Sequence, residues 1–305
     1  MAEVAKRSPL DPAVLDQLAR LSLVARTVVE GFRAGHHRSP HRGSSVEFAQ
    51  HREYVPGDDL RHIDWKIFAK SERLVVKEFI EETNFTCHLL VDASESMGFR
   101  SVRWSKLDYA RWCAAALAHL ILAQRDSAGL VVFDEKMRSR IPPASGDPQK
   151  AGILQILEST EPAGVTAVGS VLDWLGSRLS RRGIAMVFSD FFDDPARIVS
   201  GLRRLVHAGH EVILFQILDP QELDFDYTGF LRLEDVEGDA RLKIDPKSIR
   251  LAYQEEIRKH NDELARQART LSLDYLSIRT TDPLDAVLST YLATRAARTR
   301  GGRRR

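Results

Sequence analysis

The sequence predicts an α/β protein built on a doubly wound, mainly parallel sheet. Two observations carry this prediction. From residue 84 onward, apolar strand patterns alternate with helical patterns, and several of these strands are apolar on both faces. Strands of that kind occur in parallel sheets that helices cover on both sides. The composition agrees, because 43% of the 305 residues are hydrophobic and 29% are charged, as in ordinary soluble globular proteins.

The strand and helix patterns follow one another in a regular order. Predicted strands cover residues 85–92, 128–134, 183–190, 211–218 and 273–278. Predicted helices cover residues 106–125, 152–159, 167–179, 195–207, 247–269 and 283–297. Right-handed crossovers between successive parallel strands then give one doubly wound domain over residues 84–298.

The remaining segments are predicted to lie outside that sheet. Residues 1–45 contain an amphipathic helix over 10–33 and a Gly/His/Ser-rich connector. Residues 46–83 form short extended stretches, and residues 221–245 are an insertion that carries a hairpin. We expect the hairpin to pair with the extended stretches in a small β module. Residues 299–305 are a basic tail.

Charge and cysteine content limit the possible functions. Lys and Arg number 44 and Asp and Glu 43, so the net charge of +1 predicts no general attraction to nucleic acid or membrane. The two cysteines, Cys87 and Cys113, match no metal or redox spacing. Buried free thiols are expected, which fits a reducing, cytoplasmic setting. The first residues contain no uninterrupted apolar run typical of a signal peptide, and the longest apolar stretch, residues 112–123, is far shorter than a transmembrane segment.

Five oxygen-bearing side chains are predicted at one edge of the sheet. Asp92, Ser94 and Ser96 follow the first strand, Thr166 lies in a loop that opens a helix, and Asp190 ends a later strand. Ligands of doubly wound sheets bind beyond the carboxyl ends of the strands, and carboxylate and hydroxyl oxygens suit a small hard cation. Each residue could instead cap a turn or helix. The metal interpretation requires the five oxygens to converge, and a lysine ammonium among them would contradict it.

This arrangement resembles the metal-ion-dependent adhesion site of von Willebrand factor A domains. The resemblance implies that the five side chains surround one Mg²⁺ or Mn²⁺. It also implies that a carboxylate of a protein partner fills an open coordination position. The family often has Gly directly before the Thr, whereas this chain has Val165.

A second, charge-rich segment lies between residues 52 and 65. Its members are Arg52, Tyr54, Gly57, Asp58, Asp59, Arg61, Asp64 and Trp65. Together with VDASESM, FSDFFDD and LEDVEGDARL further on, it is similar to the signature of a bacterial family called domain of unknown function 58. The resemblance covers roughly residues 30 to 295. It implies a von Willebrand-like domain and an adaptor or co-chaperone role beside a MoxR-type AAA+ ATPase.

Two interpretations of this segment stay open. It can be an ion-pair network that joins the N-terminal part to the sheet domain. It can also be an exposed partner surface with Tyr54 and Trp65 as anchors. Low exposure of Arg52, Asp59 and Asp64 would favour the first.

The sequence as a whole predicts a protein-binding module that depends on a metal and is not an enzyme. There is no Walker A loop, Gly-x-Ser-x-Gly or His-Glu-x-x-His pattern. One alternative is a metal-dependent phosphoester hydrolase that uses the same five residues, although no general base or Arg/Lys clamp is evident beside them. The other is a structural scaffold with an empty site.

Overall fold

The computed structural model describes residues 46–291 except 57, 59, 61–62, 82–85, 180–181, 228–230, 235–240, 245 and 285. The described residues fall into two compact units, one over residues 46–81, called here the N-terminal unit, and a larger unit over residues 86–291. The predicted helix over 10–33, the connector with its histidines and the basic tail lie outside the described residues.

The described strands and helices are numbered here in chain order. The strands are β1 (Val46–Glu53), β2 (Val75–Glu81), β3 (Thr86–Asp92), β4 (Ser127–Phe133), β5 (Met137–Ala144), β6 (Ile184–Ser189), β7 (Glu211–Leu218), β8 (Leu231–Glu234), β9 (Arg241–Ile244) and β10 (Asp274–Arg279). The helices are α1 (Trp65–Ser71), α2 (Lys106–Ala123), α3 (Asp147–Ser159), α4 (Val168–Arg178), α5 (Pro195–His207), α6 (Pro220–Asp224) and α7 (Pro246–Thr270). Residues 286–291 are also helical. Within the described part of the chain, no helix has the length and apolarity needed to cross a membrane.

The larger unit is built on a six-stranded sheet in the order β10-β7-β6-β3-β4-β5. All neighbouring pairs are parallel except β4 and β5, which are antiparallel. The predicted α/β architecture with a mainly parallel sheet is therefore confirmed. Strand β5 was not predicted, because Pro142 and Pro143 break its apolar pattern. Proline is tolerated there because β5 is an edge strand, where a missing backbone N–H costs no hydrogen bond.

Helices cover both faces of the central strand β3, which explains its continuous apolar sequence. All seven of its residues are buried. Leu89 packs in a core cluster with side chains of α2, and Leu90 packs in a second cluster with side chains of α4 and α5. Helix α2 begins at a capping box in which Ser105 and Asp108 satisfy each other's backbone N–H.

Two glycines allow α4 and α5 to approach closely. A Cβ atom built on Gly169 of α4 would lie 2.5 Å from the backbone carbon of Arg197 in α5. A Cβ atom on Gly201 of α5 would lie 2.6 Å from the carbonyl oxygen of Gly169. Helix α4 starts two residues after Thr166, and α5 starts five residues after Asp190. The contact therefore fixes the separation of the two loops that carry these side chains.

We expect Gly169→Ala to lower the free energy of unfolding by about 1–3 kcal/mol, because the added methyl group overlaps backbone atoms that cannot move aside. Urea denaturation measures the change. Gly152→Ala is the matched control on α3, since its Cβ atom would meet nothing closer than Ile141 Cδ1 at 3.5 Å. In that control the free energy of unfolding should rise by about 0.5–1 kcal/mol, because alanine has a higher helix propensity than glycine. Equal gains in both variants would contradict the close approach of α4 and α5.

The N-terminal unit contains the antiparallel pair β1–β2 and the short helix α1. Helix α1 lies between the short extended stretches predicted for residues 46–83 and was not itself predicted. It forms because the Asp64 side chain accepts hydrogen bonds from the backbone N–H groups of Lys66 and Ile67. Strands β8 and β9 form the predicted hairpin. Among the described strands, β1–β2 and β8–β9 are separate two-stranded sheets, so the expected pairing between them is not found.

Candidate metal centre

The strand order of the sheet reverses beside β3. The chain passes from β3 to β4 on one side and later returns to β6 on the other side of β3. Ligand sites of doubly wound sheets lie at such a reversal, beyond the carboxyl ends of the strands. Asp92 ends β3 and Asp190 directly follows β6, so the topology brings two carboxylates to this position.

The hydroxyl of Ser96 joins the three loops. Its Oγ donates to Asp190 Oδ2 at 2.9 Å. The same Oγ lies 3.1 Å from Thr166 Oγ1 and 3.2 Å from Ser94 Oγ. Four of the five predicted donors are therefore in direct contact. Three of the five, Asp92, Ser94 and Asp190, are fully buried, while Ser96 is partly exposed.

The carboxylate of Asp92 lies beside this group, held by its own set of hydrogen bonds. Its Oδ1 accepts from the Ser94 backbone N–H at 2.9 Å, and its Oδ2 accepts from Ser189 Oγ at 2.6 Å. Burial, and next the charge of Asp190, raise the pKa of Asp92 to about 7. The negative charge of Asp92 is thus insufficiently compensated by its described surroundings.

Backbone hydrogen bonds hold the Thr166 loop against the loop after β3. Ala163 N–H donates to Ala93 O, and Glu95 N–H donates to Gly164 O, both at 2.9 Å. Gly164 has φ +81°, and a Cβ atom there would lie 3.0 Å from Asp134 Oδ2. The glycine of this loop therefore stands two positions before Thr166. Val165, which departs from the adhesion-site pattern, is 46% exposed.

The Asp190 loop is fixed through its backbone. Phe192 N–H donates to Asp190 Oδ1 at 3.1 Å, and the fully buried Gln216 donates from Nε2 to Asp190 O, also at 3.1 Å. Phe191 between them has φ 59°, and its carbonyl lies 3.0 Å from His260 Nε2 of α7. These contacts hold the Asp190 carboxylate towards Ser96.

Lys106, the first residue of α2, occupies an unpredicted position in this centre. Its side chain is fully buried, and its Nζ lies 2.7 Å from Asp190 Oδ2 and 2.5 Å from Glu222 Oε1. Asp190 Oδ2 is therefore shared between Ser96 and an ammonium group. A lysine ammonium in this position is the feature named above as contradicting the metal interpretation. It contacts one of the five predicted donors, Asp190, so metal binding stays a prediction that has to accommodate this ion pair.

Two carboxylates keep this lysine charged. Burial by itself lowers the pKa of Lys106, but the charges of Asp190 and Glu222 outweigh burial, and the pKa is raised. Glu222 is in turn held by the Asp219 backbone N–H at 2.9 Å, in a capping box of the short helix α6. Nothing in the sequence indicated Lys106 beyond its being a polar residue at the start of an apolar helix. The Asp219-x-x-Glu222 capping box was the available signal for α6.

The donors still fit a small hard cation. Asp92, Asp190 and Glu222 provide three carboxylates against one ammonium, so these four groups carry two negative charges when all are ionised. Among the described residues, no three carboxylate, imidazole or thiolate side chains are arranged to hold a metal by themselves. The hydroxyls of Ser94, Ser96 and Thr166 have to complete the ligand set. A cation bound here has to share Asp190 with Lys106, while Asp92 has no ion pair with a lysine of the described residues.

The charge-rich segment of the N-terminal unit has a structural role where it is described. Arg52 Nη2 donates to Asp58 Oδ1 at 2.9 Å. This bond is the largest cause of the lowered pKa of Asp58. Asp64 is buried, caps α1, and has Oδ2 3.1 Å from His51 Nε2. Both pairs lie within the N-terminal unit.

The same segment also presents exposed groups. Trp65 is 59% exposed, and the Arg52 side chain is 39% exposed. Tyr54 is half-buried, and its backbone N–H donates to Leu74 O at 3.0 Å. Gly57, Asp59 and Arg61 lie outside the described residues, so their predicted roles stay predictions. Asp64 has the low exposure that the ion-pair interpretation requires, but its partner His51 lies in the same unit, so the join to the sheet domain stays a prediction. The exposure of Trp65 is what the partner-surface interpretation requires.

Comparison with known families and proteins gives one family match. A family model described as "Protein of unknown function DUF58" matches residues 50–263. The chain is 29% identical over 275 residues to uncharacterized proteins of Mycobacterium bovis and Mycobacterium tuberculosis. These alignments cover 88% of this chain and 86% of each relative.

Among solved structures, the chain is similar to the conserved hypothetical protein BatB from Bacteroides thetaiotaomicron, at 16% identity and a TM-score of 0.48. That match covers 70% of this chain and 99% of BatB. A second match is the pilus adhesin SpaC from Lactobacillus rhamnosus GG, at 14% identity and a TM-score of 0.46. It covers 72% of this chain and 30% of the adhesin.

Proposed function

This chain belongs to the family of proteins of unknown function DUF58, and we propose that it is a protein-binding module whose partner contact depends on a bound divalent cation. Mg²⁺ or Mn²⁺ would be held by Asp92, Ser94, Ser96, Thr166 and Asp190. Such an ion supplies a positive charge that a carboxylate of the partner can complete. The chain itself would not catalyse a reaction.

The observation that supports this proposal most is the position of Ser96 Oγ. It lies within 3.2 Å of oxygen atoms from Ser94, Thr166 and Asp190, which come from three separate loops. Hydroxyl and carboxylate oxygens gathered in this way are ligands of hard cations. Asp92 adds to the argument, because its carboxylate is fully buried beside this group and a further cation would stabilise a buried negative charge.

The finer parts of the proposal rest on the resemblance to adhesion sites. The larger unit would be a von Willebrand factor A-type domain, and the partner a MoxR-type AAA+ ATPase or its client, with this chain as adaptor or co-chaperone. We place the protein in the cytoplasm, where the buried thiols Cys87 and Cys113 would stay reduced. Nucleic acid is not among the proposed partners.

One observation favours a second candidate, a structural scaffold without metal. The ammonium of Lys106 already bonds Asp190 and Glu222, so it can replace a metal as the cation that holds the loops together. The hydrolase alternative gains nothing from Lys106, since a lysine that is fully buried between two carboxylates is not available to a phosphoryl oxygen.

Titration with Mn²⁺ separates the binding module from the scaffold. We expect wild-type protein to bind one Mn²⁺, and Ser96→Ala to weaken binding by at least about tenfold, because the hydroxyl that joins the loops is lost. Calorimetry or the electron paramagnetic resonance of free Mn²⁺ gives the affinity. Ser101→Ala is the matched control, since the hydroxyl of this serine donates to Asp219 Oδ1 instead of the five-residue group. Absence of Mn²⁺ binding in wild type, with the fold intact by circular dichroism, would establish the scaffold.

The partner contact needs its own measurement. Affinity for a MoxR-type AAA+ ATPase is measured with Mg²⁺ and with chelator, in wild type and in Asp92→Ala. We expect tight binding in one of the four cases, wild type with Mg²⁺. Equal affinity in all four would refute a metal-dependent contact even if Mn²⁺ binds.

A further inference from the structure

A cavity of about 360 Å³ lies beside the start of α2, at the carboxyl edge of the sheet. Its walls come from the loop before α2, the first turns of α2, and the turn that follows β10. The volume lies at the low end of the range for ligand pockets. It suits one large side chain better than a cofactor.

Three aromatic side chains contribute to the cavity wall, from Trp104, Tyr109 and Trp112. Trp104 and Trp112 pack edge to face with ring centroids 4.5 Å apart. Tyr109 is buried, and its hydroxyl donates to Asp282 O at 3.0 Å, which ties α2 to the turn after β10. The aromatic wall is thereby preformed, and a further aromatic ring can pack against it with favourable edge-to-face geometry.

The polar groups of the cavity are incompletely satisfied by the described residues. The Arg103 guanidinium is exposed and stacks over the Trp104 ring at 4.4 Å, and it has no carboxylate partner within the described chain. The buried Thr280 hydroxyl on the same wall also has no hydrogen-bond partner there. The carboxylate of Asp282, by contrast, accepts from the Arg279 backbone N–H at 2.9 Å. An incoming anion therefore has one available cation at this rim, Arg103.

We propose that this cavity binds an aromatic side chain of a protein partner that is flanked by an acidic residue. The ring packs against Trp104 and Trp112, and the neighbouring carboxylate pairs with Arg103. A peptide segment is the occupant because the cavity holds one side chain while Arg103 stands exposed at its rim. This binding requires neither Asp92 nor a metal, so it can be tested independently of the proposed metal centre.

The test uses the full-length chain, labelled with ¹⁵N and kept in chelator. The probe is acetyl-Glu-Phe-amide, compared with acetyl-Gln-Phe-amide and acetyl-Glu-Ala-amide. The protein has four tryptophans, and Trp104→Phe and Trp112→Phe assign the two indole N–H signals of the cavity. We expect the first peptide to shift these two signals and to bind about fivefold more tightly than either control peptide.

A matched pair of variants tests whether the charge of Arg103 contributes to peptide binding. Arg103→Gln should lower the affinity for acetyl-Glu-Phe-amide by about fivefold. Arg178→Gln should leave it unchanged, although Arg178 forms a similar stack at 5.1 Å on Trp174. Undisturbed cavity indoles at saturating peptide overturn the proposal. Equal affinity for the glutamine peptide overturns the acidic requirement, and equal affinity for the alanine peptide overturns the aromatic one.

Discussion

Lys106→Met is expected to lower the free energy of unfolding by about 3–5 kcal/mol. The substitution removes one partner of a buried ion pair and leaves Asp190 and Glu222 without their cation. An uncompensated buried charge costs more than the intact pair contributes. Urea denaturation in the presence of chelator measures the loss. Because a positive charge also disappears beside Asp190, Mn²⁺ should bind the variant more tightly than wild type if the metal centre exists.

Lys259→Met is the matched control for this prediction. Lys259 also forms an ion pair, with Nζ 2.8 Å from Glu256 Oε1, but its side chain is 57% exposed. Exposed pairs contribute little, so the expected change is below about 0.5 kcal/mol. If both lysines can be replaced at the same small cost, Lys106 is not a buried cation in solution, and the scaffold interpretation loses its main support.

Asp92→Asn is expected to separate metal binding from stability. Mn²⁺ affinity should fall by more than about 100-fold, because the proposed centre would lose one of its charged ligands. The free energy of unfolding in chelator should stay unchanged or rise. Burial and the charge of Asp190 disfavour the ionised form of Asp92, as its raised pKa indicates. An asparagine carries no charge and retains an oxygen that can accept from the Ser94 N–H.

Asp134→Asn controls for the loss of a buried carboxylate as such. Asp134 directly follows β4 and is buried, yet it bonds the Lys136 N–H and lies 3.7 Å from Arg138, not the five-residue group. Its replacement should leave Mn²⁺ affinity unchanged. Mn²⁺ binding to Asp92→Asn with wild-type affinity would remove Asp92 from the proposed centre.

Elements with a long and regular apolar pattern could be predicted from the sequence with accurate bounds. The strand predicted at 211–218 and the helix predicted at 195–207 have those bounds in the structure. The strand is a nearly continuous apolar run, the helix repeats its apolar residues at helical spacing, and Gly209 with φ +85° marks the end between them. Strand β5 and helix α1 were missed, because an edge strand with two prolines and a seven-residue helix without buried residues carry weak patterns.

The sequence was sufficient to predict the oxygen donors of the candidate site, but not the buried lysine that forms ion pairs beside them. Parallel strands that end in polar residues bring those residues to one edge, which is sufficient to group Asp92 with Asp190. A lysine at the first position of a helix usually extends into solvent, so nothing distinguished Lys106 in advance. Its burial depends on Glu222, which lies 116 positions away in sequence. Local patterns contain no information about such a distant pair.

The glycine contact between α4 and α5 has a consequence for ion selectivity. Discrimination between Mg²⁺ and the larger Ca²⁺ depends on how rigidly the ligands keep their spacing. Gly169 N–H also donates to Asp193 Oδ2 at 2.9 Å, which ties the helix that follows Thr166 to the loop that follows Asp190. Weakening this contact between α4 and α5 would increase the distance between the two loops. The site would then discriminate less between ions of different radius, although none of its ligands had been altered.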